Sequence, residues 1–197
     1  MALDHLLTAL DIGVTYFALC DIRDGWGMHF DACKTASLHY CLEGIGTLTV
    51  HGTAPIRLES HTFILLPPGV PYRIESASQR QPRLEYRTLL HPVSSHHSTP
   101  TLIVGEGVQG IVTVCGEIRV KLPGGSDLFT PLSKLLVARF NGANGLQDQF
   151  AMLLAESARP GIGSRVLTEA LLKQCLVLAL RRWVESEPSS LPWLAAV

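Results

Sequence analysis

In the run Ser37-Leu38-His39-Tyr40-Cys41, side chains with chemical character recur at every second position. Side chains alternate between faces along an extended strand, so Ser37, His39 and Cys41 share one face as a hydroxyl, an imidazole and a thiol. Such a row can hold a small molecule by hydrogen bonds, and His and Cys are also donors from which metal sites are built. Other combinations are weaker. His96-His97 sits in a Ser/Thr-rich loop with no third ligand close in sequence. A cluster of Cys20, Cys33, Cys115 and His29 is conceivable, but its spacing matches no zinc motif. There is no G-x-S-x-G elbow, no Walker loop, no G-x-G-x-x-G after a strand and no Cys–His pair with an obvious orienting group, so nothing nominates a nucleophile.

The elements that would hold this row are legible in the hydrophobic pattern. From Val14 to about Lys121, short apolar or alternating runs are punctuated by Gly, Pro, Asn, Asp and Ser, as in an all-β sandwich or barrel. The pattern predicts strands at 14–22, 26–30, 36–42, 46–51, 55–58, 62–66, 71–76, 83–90, 101–104 and 111–120, preceded by a short helix over Leu6 to Leu10 that Asp4 can cap. After Pro123-Gly124-Gly125 the period changes to that of helices. One stripe (Leu132, Leu135, Leu136, Phe140) ends at Asn141-Gly142, and a second carries Leu146, Phe150, Leu153 and Leu154. Beyond Pro160-Gly161 a third helix runs from Ile162 to about Glu185. Around Leu176 to Leu180 it is apolar nearly all round, which predicts burial on more than one side, by its own barrel or by a partner subunit. Pro188-Ser189-Ser190 then reads as a linker.

Composition narrows the function classes. The 197 residues suit one large domain, alone or with an appendage. Sixteen Lys and Arg against 17 Asp and Glu leave a net charge of −1, which argues against a dedicated nucleic-acid binder. Apolar residues at 47% against 17% charged exclude disorder. The most apolar stretch, Cys175 to Leu180, lies between Lys173 and Arg181 and is far short of the roughly 20 residues of a membrane span. Asp4 and His5 interrupt the only candidate signal-peptide core, and the five scattered cysteines form no disulfide framework. A cytoplasmic protein with reduced thiols is expected.

Two segments carry a resemblance. Leu38 to Val50 reads as strand, turn, strand, and His61 to Tyr72 as a strand running into Pro67-Pro68-Gly69. Over roughly residues 36–74 this pair resembles the two motifs of the cupin family of small β-barrels. Anchored on Gly44, the first motif puts the metal-binding Glu position at Ser37 and its two His positions within Phe30 to Cys33, where no His occurs. Anchored on Pro67 and Gly69, the second puts its leading Gly at His61 and its ligand His at Tyr72. The resemblance therefore implies a cupin without its metal ligands: metal none, cofactor none. In the cupin register Ser37, His39, Cys41 and Tyr72 face the lumen, and Met28 and Phe30 have the parity to join them if Trp26 does. An apolar lumen with a few polar groups is the profile of a small-molecule pocket.

The order of elements over nearly the whole chain also resembles the N-terminal effector-binding half of AraC-type transcriptional regulators, in the subgroup with a degenerate cupin. The residues that carry it are Leu6 to Gly13, Gly25-Trp26-Gly27, Leu38 to Gly44, Leu65 to Gly69, Val114-Cys115-Gly116, the helix closing in Ala179-Leu180-Arg181-Arg182-Trp183-Val184, and Pro192 to Ala196. The expected fold is α+β: a cupin-like β-barrel over 1–124, a helical dimerisation segment over 125–187, and a linker over 188–197 toward a helix-turn-helix domain absent from these residues. The resemblance implies a small-molecule effector, a homodimer through Val166, Ala170, Leu171, Val177 and Leu178, and contact with DNA only through that absent domain. It implies no catalysis. A metal-dependent cupin enzyme and a purely structural oligomerisation module stand as alternatives.

Overall fold

The computed structural model describes residues 11–77, 83–86, 101–121, 135–141 and 145–186, the segment 83–86 by its backbone. The strands are β1 (Asp11–Arg23), β2 (Trp26–Phe30), β3 (Ala36–Val50), β4 (Ile56–Glu59), β5 (Thr62–Leu66), β6 (Tyr72–Ser76), β7 (Arg83–Tyr86), β8 (Thr101–Val104), β9 (Gln109–Lys121) and β10 (Leu136–Arg139). Two helices follow, α1 (Leu146–Ala158) and α2 (Ser164–Ser186). The strands join in the order β7-β2-β6-β3-β9-β1-β8, with β4 and β5 also on β3 and β10 on β5. All neighbours are antiparallel except β1 with β8 and β2 with β7. The expected fold class holds: a mainly β, curled cupin-type sheet with C-terminal helices. No helix among the described residues is long and apolar enough to cross a membrane.

The curl depends on β3. The sequence reads two strands there, 36–42 and 46–51, with a turn at Glu43-Gly44-Ile45-Gly46; the structure makes one strand of Ala36 to Val50. Its first half pairs with β5 and β9, its second with β4 and β6. Against β9 the register slips between Cys41 and Glu43, leaving Leu42 as an extra residue. A bulge bends a strand and changes which parity faces which side. Gly44, at φ 86°, completes the bend, and a Cβ there would lie 2.1 Å from the Gly110 carbonyl oxygen. The Gly-rich signal thus marks a bend within a strand and no reversal of the chain.

The sheet buries both faces. One side packs Cys20, Ile22, Met28, Phe30, Ile64 and Leu66 with further residues of the same cluster, and is the inner, lumen side of the curl. The other carries Phe17, Leu38, Tyr40, Phe63, Val114 and Ile118 and packs on the helices. Phe150 of α1 stacks on Tyr40 at 4.5 Å between ring centroids. From α2, Leu172, Cys175, Leu176, Ala179 and Trp183 complete this layer at the spacing of one helical face. The apolar stretch near Leu176 is therefore largely consumed by the chain's own sheet.

One element departs from its expected type. The predicted helix over 131–140 is, at Leu136–Arg139, strand β10, antiparallel to β5 with Leu136 opposite Leu65 and Arg139 opposite Thr62. Leu-Val-Ala-Arg suits either period, and pairing with the β5 edge satisfies backbone groups that would otherwise be left without partners. Leu136 and Ala138 then join the helix-side core, while Leu135 and Val137 pack toward the lumen. The segment expected to be wholly helical after residue 124 therefore returns a strand to the sheet. The short helix at Leu6 to Leu10, the pair His96-His97 and the linker after Pro188 lie outside the described residues.

Candidate functional site

Strand pairing assembles the polar row from three chains of alternation. On β9 the lumen parity runs Ile111, Thr113, Cys115, Glu117; on β3 before the bulge it runs Ser37, His39, Cys41; on β1 it runs Tyr16, Ala18, Cys20. Register then aligns them into rungs: Tyr16, Glu117 and Ser37 in one, Ala18, Cys115 and His39 in the next, Cys20, Thr113 and Cys41 in the third. Beyond the bulge β3 contributes Leu48 and Val50 to this cluster, Leu48 opposite Ile74 and Val50 opposite Tyr72, so apolar side chains lie alongside the polar row.

His39 is the centre of the row and is only 2% exposed. Its Nε2 lies 2.7 Å from the Tyr72 hydroxyl and its Nδ1 lies 3.3 Å from Cys115 Sγ. Phe30 stacks on Tyr72 at 4.5 Å with the planes 11° apart, and both rings meet His39 edge-on. Of the residues singled out in the sequence, the structure brings Phe30, His39 and Tyr72 into direct contact. Ser37, Met28 and Cys41 lie buried on the same side of the sheet, and Trp26 is half-buried at its margin, where its indole covers Gly105 so closely that a Cβ there would sit 2.2 Å from the ring.

Electrostatics separates the buried groups. Burial raises the Tyr72 hydroxyl well above its ordinary value, with a hydrogen bond from Ser37 working the other way, and burial also raises Tyr16. Burial pushes Cys41 up to about 12 and Cys175 to about 12. Cys115 goes the opposite way. Burial is the largest single influence on it and opposes ionisation, but the Cys20 thiol, the His39 imidazole and the Thr113 hydroxyl together outweigh it and lower the thiol well below its ordinary value. The Thr113 Oγ1 is 3.2 Å from the sulfur.

The sequence offers no Cys–His pair with an orienting group; the structure corrects this, since Cys115 and His39 touch and Tyr72 holds the far side of the imidazole. Cys115 and His39 are 76 residues apart, so no local motif joins them; the usable signal was the alternation Ile111, Thr113, Cys115, Glu117. Tyr16, Thr113 and Glu117 were missed for the same reason. The cluster of Cys20, Cys33, Cys115 and His29 does not form: His29 faces out and pairs with Asp31 at 3.4 Å, and Cys33 bonds to Thr35.

The residues present do not fit a cupin metal. At the ligand positions stand Ser37 and Tyr72, both nitrogens of His39 already have partners, and among the described residues no three His, Cys, Asp or Glu side chains converge. On the helix side of the sheet, a cleft of about 290 Å³ opens between Arg119 on β9 and Arg165 and Glu169 on α2. Its opposed charges largely offset one another.

The proposed dimer set is split by the structure. Val166 and Ala170 are exposed, Val177 and Leu178 are half-buried against the helix-side core, and Leu171 is inside it. As a contact for a partner subunit Leu171 is thereby corrected. The exposed apolar residues sit earlier, at Ile162, Val166 and Leu167.

An antiparallel sheet curled around a lumen, with helices on its outer face, belongs to the class of small β-barrels that includes the cupins. The chain belongs to the cupin family: the family model described as Cupin matches residues 2–185. His61, where the second motif calls for Gly, has φ 69°, the backbone region that glycine favours. No curated protein sequence matches the chain. Among solved structures it is similar to an apo variant of ToxT from Vibrio cholerae, at 8% identity over 89% of this chain and 57% of that one, TM-score 0.49. It is also similar to wild-type ToxT from Vibrio cholerae bound to an unsaturated fatty acid (8% identity, 89% and 56% covered, TM-score 0.43). A third likeness is to YhaK from Escherichia coli (12% identity, 72% and 48% covered, TM-score 0.36). The chain spans a little over half the length of the ToxT chains.

Proposed function

We propose that this chain is the small-molecule effector-binding and dimerisation domain of an AraC-type transcriptional regulator working in the cytoplasm. The observation that carries the reading is the buried row around His39: an aromatic wall and several hydrogen-bonding groups set among apolar side chains on the inner side of the curled sheet. The cupin membership and the resemblance of the quoted motifs to such regulators support it. In this reading residues 1–124 form most of the sensor, 125–187 complete it and mediate dimerisation, and 188–197 lead to a helix-turn-helix part outside these residues, through which DNA is contacted. The chain then works by a binding equilibrium: an effector shifts the arrangement of sheet and helices only by its differential affinity for two states. The lumen-lining set is Trp26, Met28, Phe30, Ser37, His39, Cys41 and Tyr72.

Two measurements test it. In a thermal-shift screen of small apolar molecules bearing one or two polar groups, at least one should raise the melting point of the wild type and lose its effect in Met28→Trp, which fills the lumen. A screen in which every stabiliser acts equally on that variant removes the lumen from consideration and favours a structural module. For dimerisation, Val166→Asp should give a folded monomer by sedimentation, whereas Leu171→Asp should unfold the chain. A wild type monomeric at high concentration overturns the dimer.

A further inference from the structure

We propose that Cys115, with His39 beside it, is a site of covalent capture for a small electrophile of the α,β-unsaturated carbonyl class held in the lumen. This rests on the reading of the lumen as a small-molecule pocket and deepens it by naming the ligand chemistry.

The geometry supplies the parts of a thiol addition. Cys115 Sγ is 3.3 Å from His39 Nδ1, and His39 Nε2 is 2.7 Å from Tyr72. The neutral tautomer able to accept the thiol proton at Nδ1 carries its hydrogen on Nε2, where the Tyr72 oxygen is placed to accept it, so the contact accommodates the state in which His39 acts as a base. Thr113 adds a hydroxyl 3.2 Å from the sulfur. The lowered Cys115 thiol contrasts with Cys41 and Cys175, which burial pushes up to about 12, so the lumen contains one thiol set apart from other buried ones. The surroundings point to the ligand class. Thiolate sulfur is soft and prefers a polarised carbon–carbon double bond. Met28, Phe30 and Ile64 suit a hydrocarbon remainder, while Glu117 on the neighbouring rung disfavours an anion. The Tyr16 hydroxyl is buried with no hydrogen-bond partner among the described residues, and it is close enough to Cys20, Cys115 and Glu117 to feel their charges. A phenol there can donate to a ligand carbonyl and to the enolate it becomes.

The step balances without a redox partner. The Cys115 thiol gives its proton to His39, and Sγ bonds to the β-carbon. The double-bond pair moves to the carbonyl oxygen as an enolate, and the proton returns from His39 to the α-carbon. The sum is addition of S–H across the double bond.

The test uses the whole chain with cyclohexenone, and with cyclohexanone as the saturated control, followed by intact mass and peptide mapping. The expected result is one adduct per chain on Cys115, absent in Cys115→Ser. In His39→Gln the rate at neutral pH should be roughly tenfold or more lower, because only a few per cent of an ordinary thiol is ionised there. Its rate should then climb with pH through the ordinary thiol range, while the wild-type rate is already near its plateau. An adduct confined to half-buried Cys33, or a His39→Gln rate and pH profile equal to wild type, overturns the proposal. If both ketones raise the melting point but no adduct forms, covalent capture fails while the lumen pocket stands. If neither binds nor reacts, both fail.

Discussion

Tyr72→Phe isolates one oxygen atom. The substituted ring keeps its stack on Phe30, 4.5 Å away, so packing volume barely changes, and what is lost is the 2.7 Å hydrogen bond to His39 Nε2. That nitrogen is on a side chain only 2% exposed, so water replaces the bond poorly. Leaving a buried polar group without a partner costs about 1–3 kcal/mol, more than the bond's net worth between two solvated groups. For a chain of this size each kcal/mol lowers the melting temperature by about 2–4 °C, giving a drop of about 2–12 °C. Equilibrium urea unfolding followed by tryptophan fluorescence measures the energy directly. A double-mutant cycle with His39→Leu should show a coupling of about 0.5–3 kcal/mol, since once the imidazole is gone the phenol has less to lose. A Tyr72→Phe chain within about 0.5 kcal/mol of wild type, with no coupling to His39, would mean that this contact does not organise the lumen.

Phe150→Ala, removing a fully buried ring that stacks on Tyr40, should cost about 3–5 kcal/mol by denaturant unfolding, and a loss below about 1 kcal/mol would show that α1 is not integral to the fold. Inserting one alanine after Gly46, beyond the bulge, shifts Leu48 and Val50 by one position and turns them to the wrong face; cooperative unfolding should vanish, whereas the same insertion at the exposed Gly52–Thr53 turn should be tolerated. Stability should also depend on pH through Cys115. Its folded value, lowered to about 5, makes it a group whose stabilisation is complete above the ordinary thiol value and lost as pH falls through the folded one. The advantage of wild type over Cys115→Ser should therefore grow from pH 5 toward pH 9, and a constant difference would contradict the lowered thiol.

Local periodicity made the chain's order of elements readable, and it failed where a distant partner decides. The strand at 62–66 follows from its short apolar run, the strand at 101–104 from alternation, and the buried positions Leu146, Phe150, Leu153 and Leu154 of α1 from helical spacing. Leu136–Arg139 has too few residues to separate the two periods, and the waiting edge of β5 decides for strand. In the site, the shared face of Ser37, His39 and Cys41 is a property of one strand and was visible. The partnership of His39 with Cys115 depends on β3 lying beside β9 in one register, which nothing within either strand encodes. The bulge is similar. A Gly-rich stretch announces a change of direction, but whether it reverses the chain or only bends it depends on β9 continuing past it.

The sheet is one backbone thick between its two buried sides. Leu38 and Tyr40 touch the helix layer, and His39, between them, touches Tyr72 and Cys115 in the lumen. Three consecutive residues thus belong to two compartments, with no soft layer to absorb a displacement. Anything that shifts the imidazole pulls on the peptide planes on either side of it, and through them on the ring that Phe150 stacks against. For the effector-binding domain proposed above, lumen and helix layer are then separated by a single amino acid's distance.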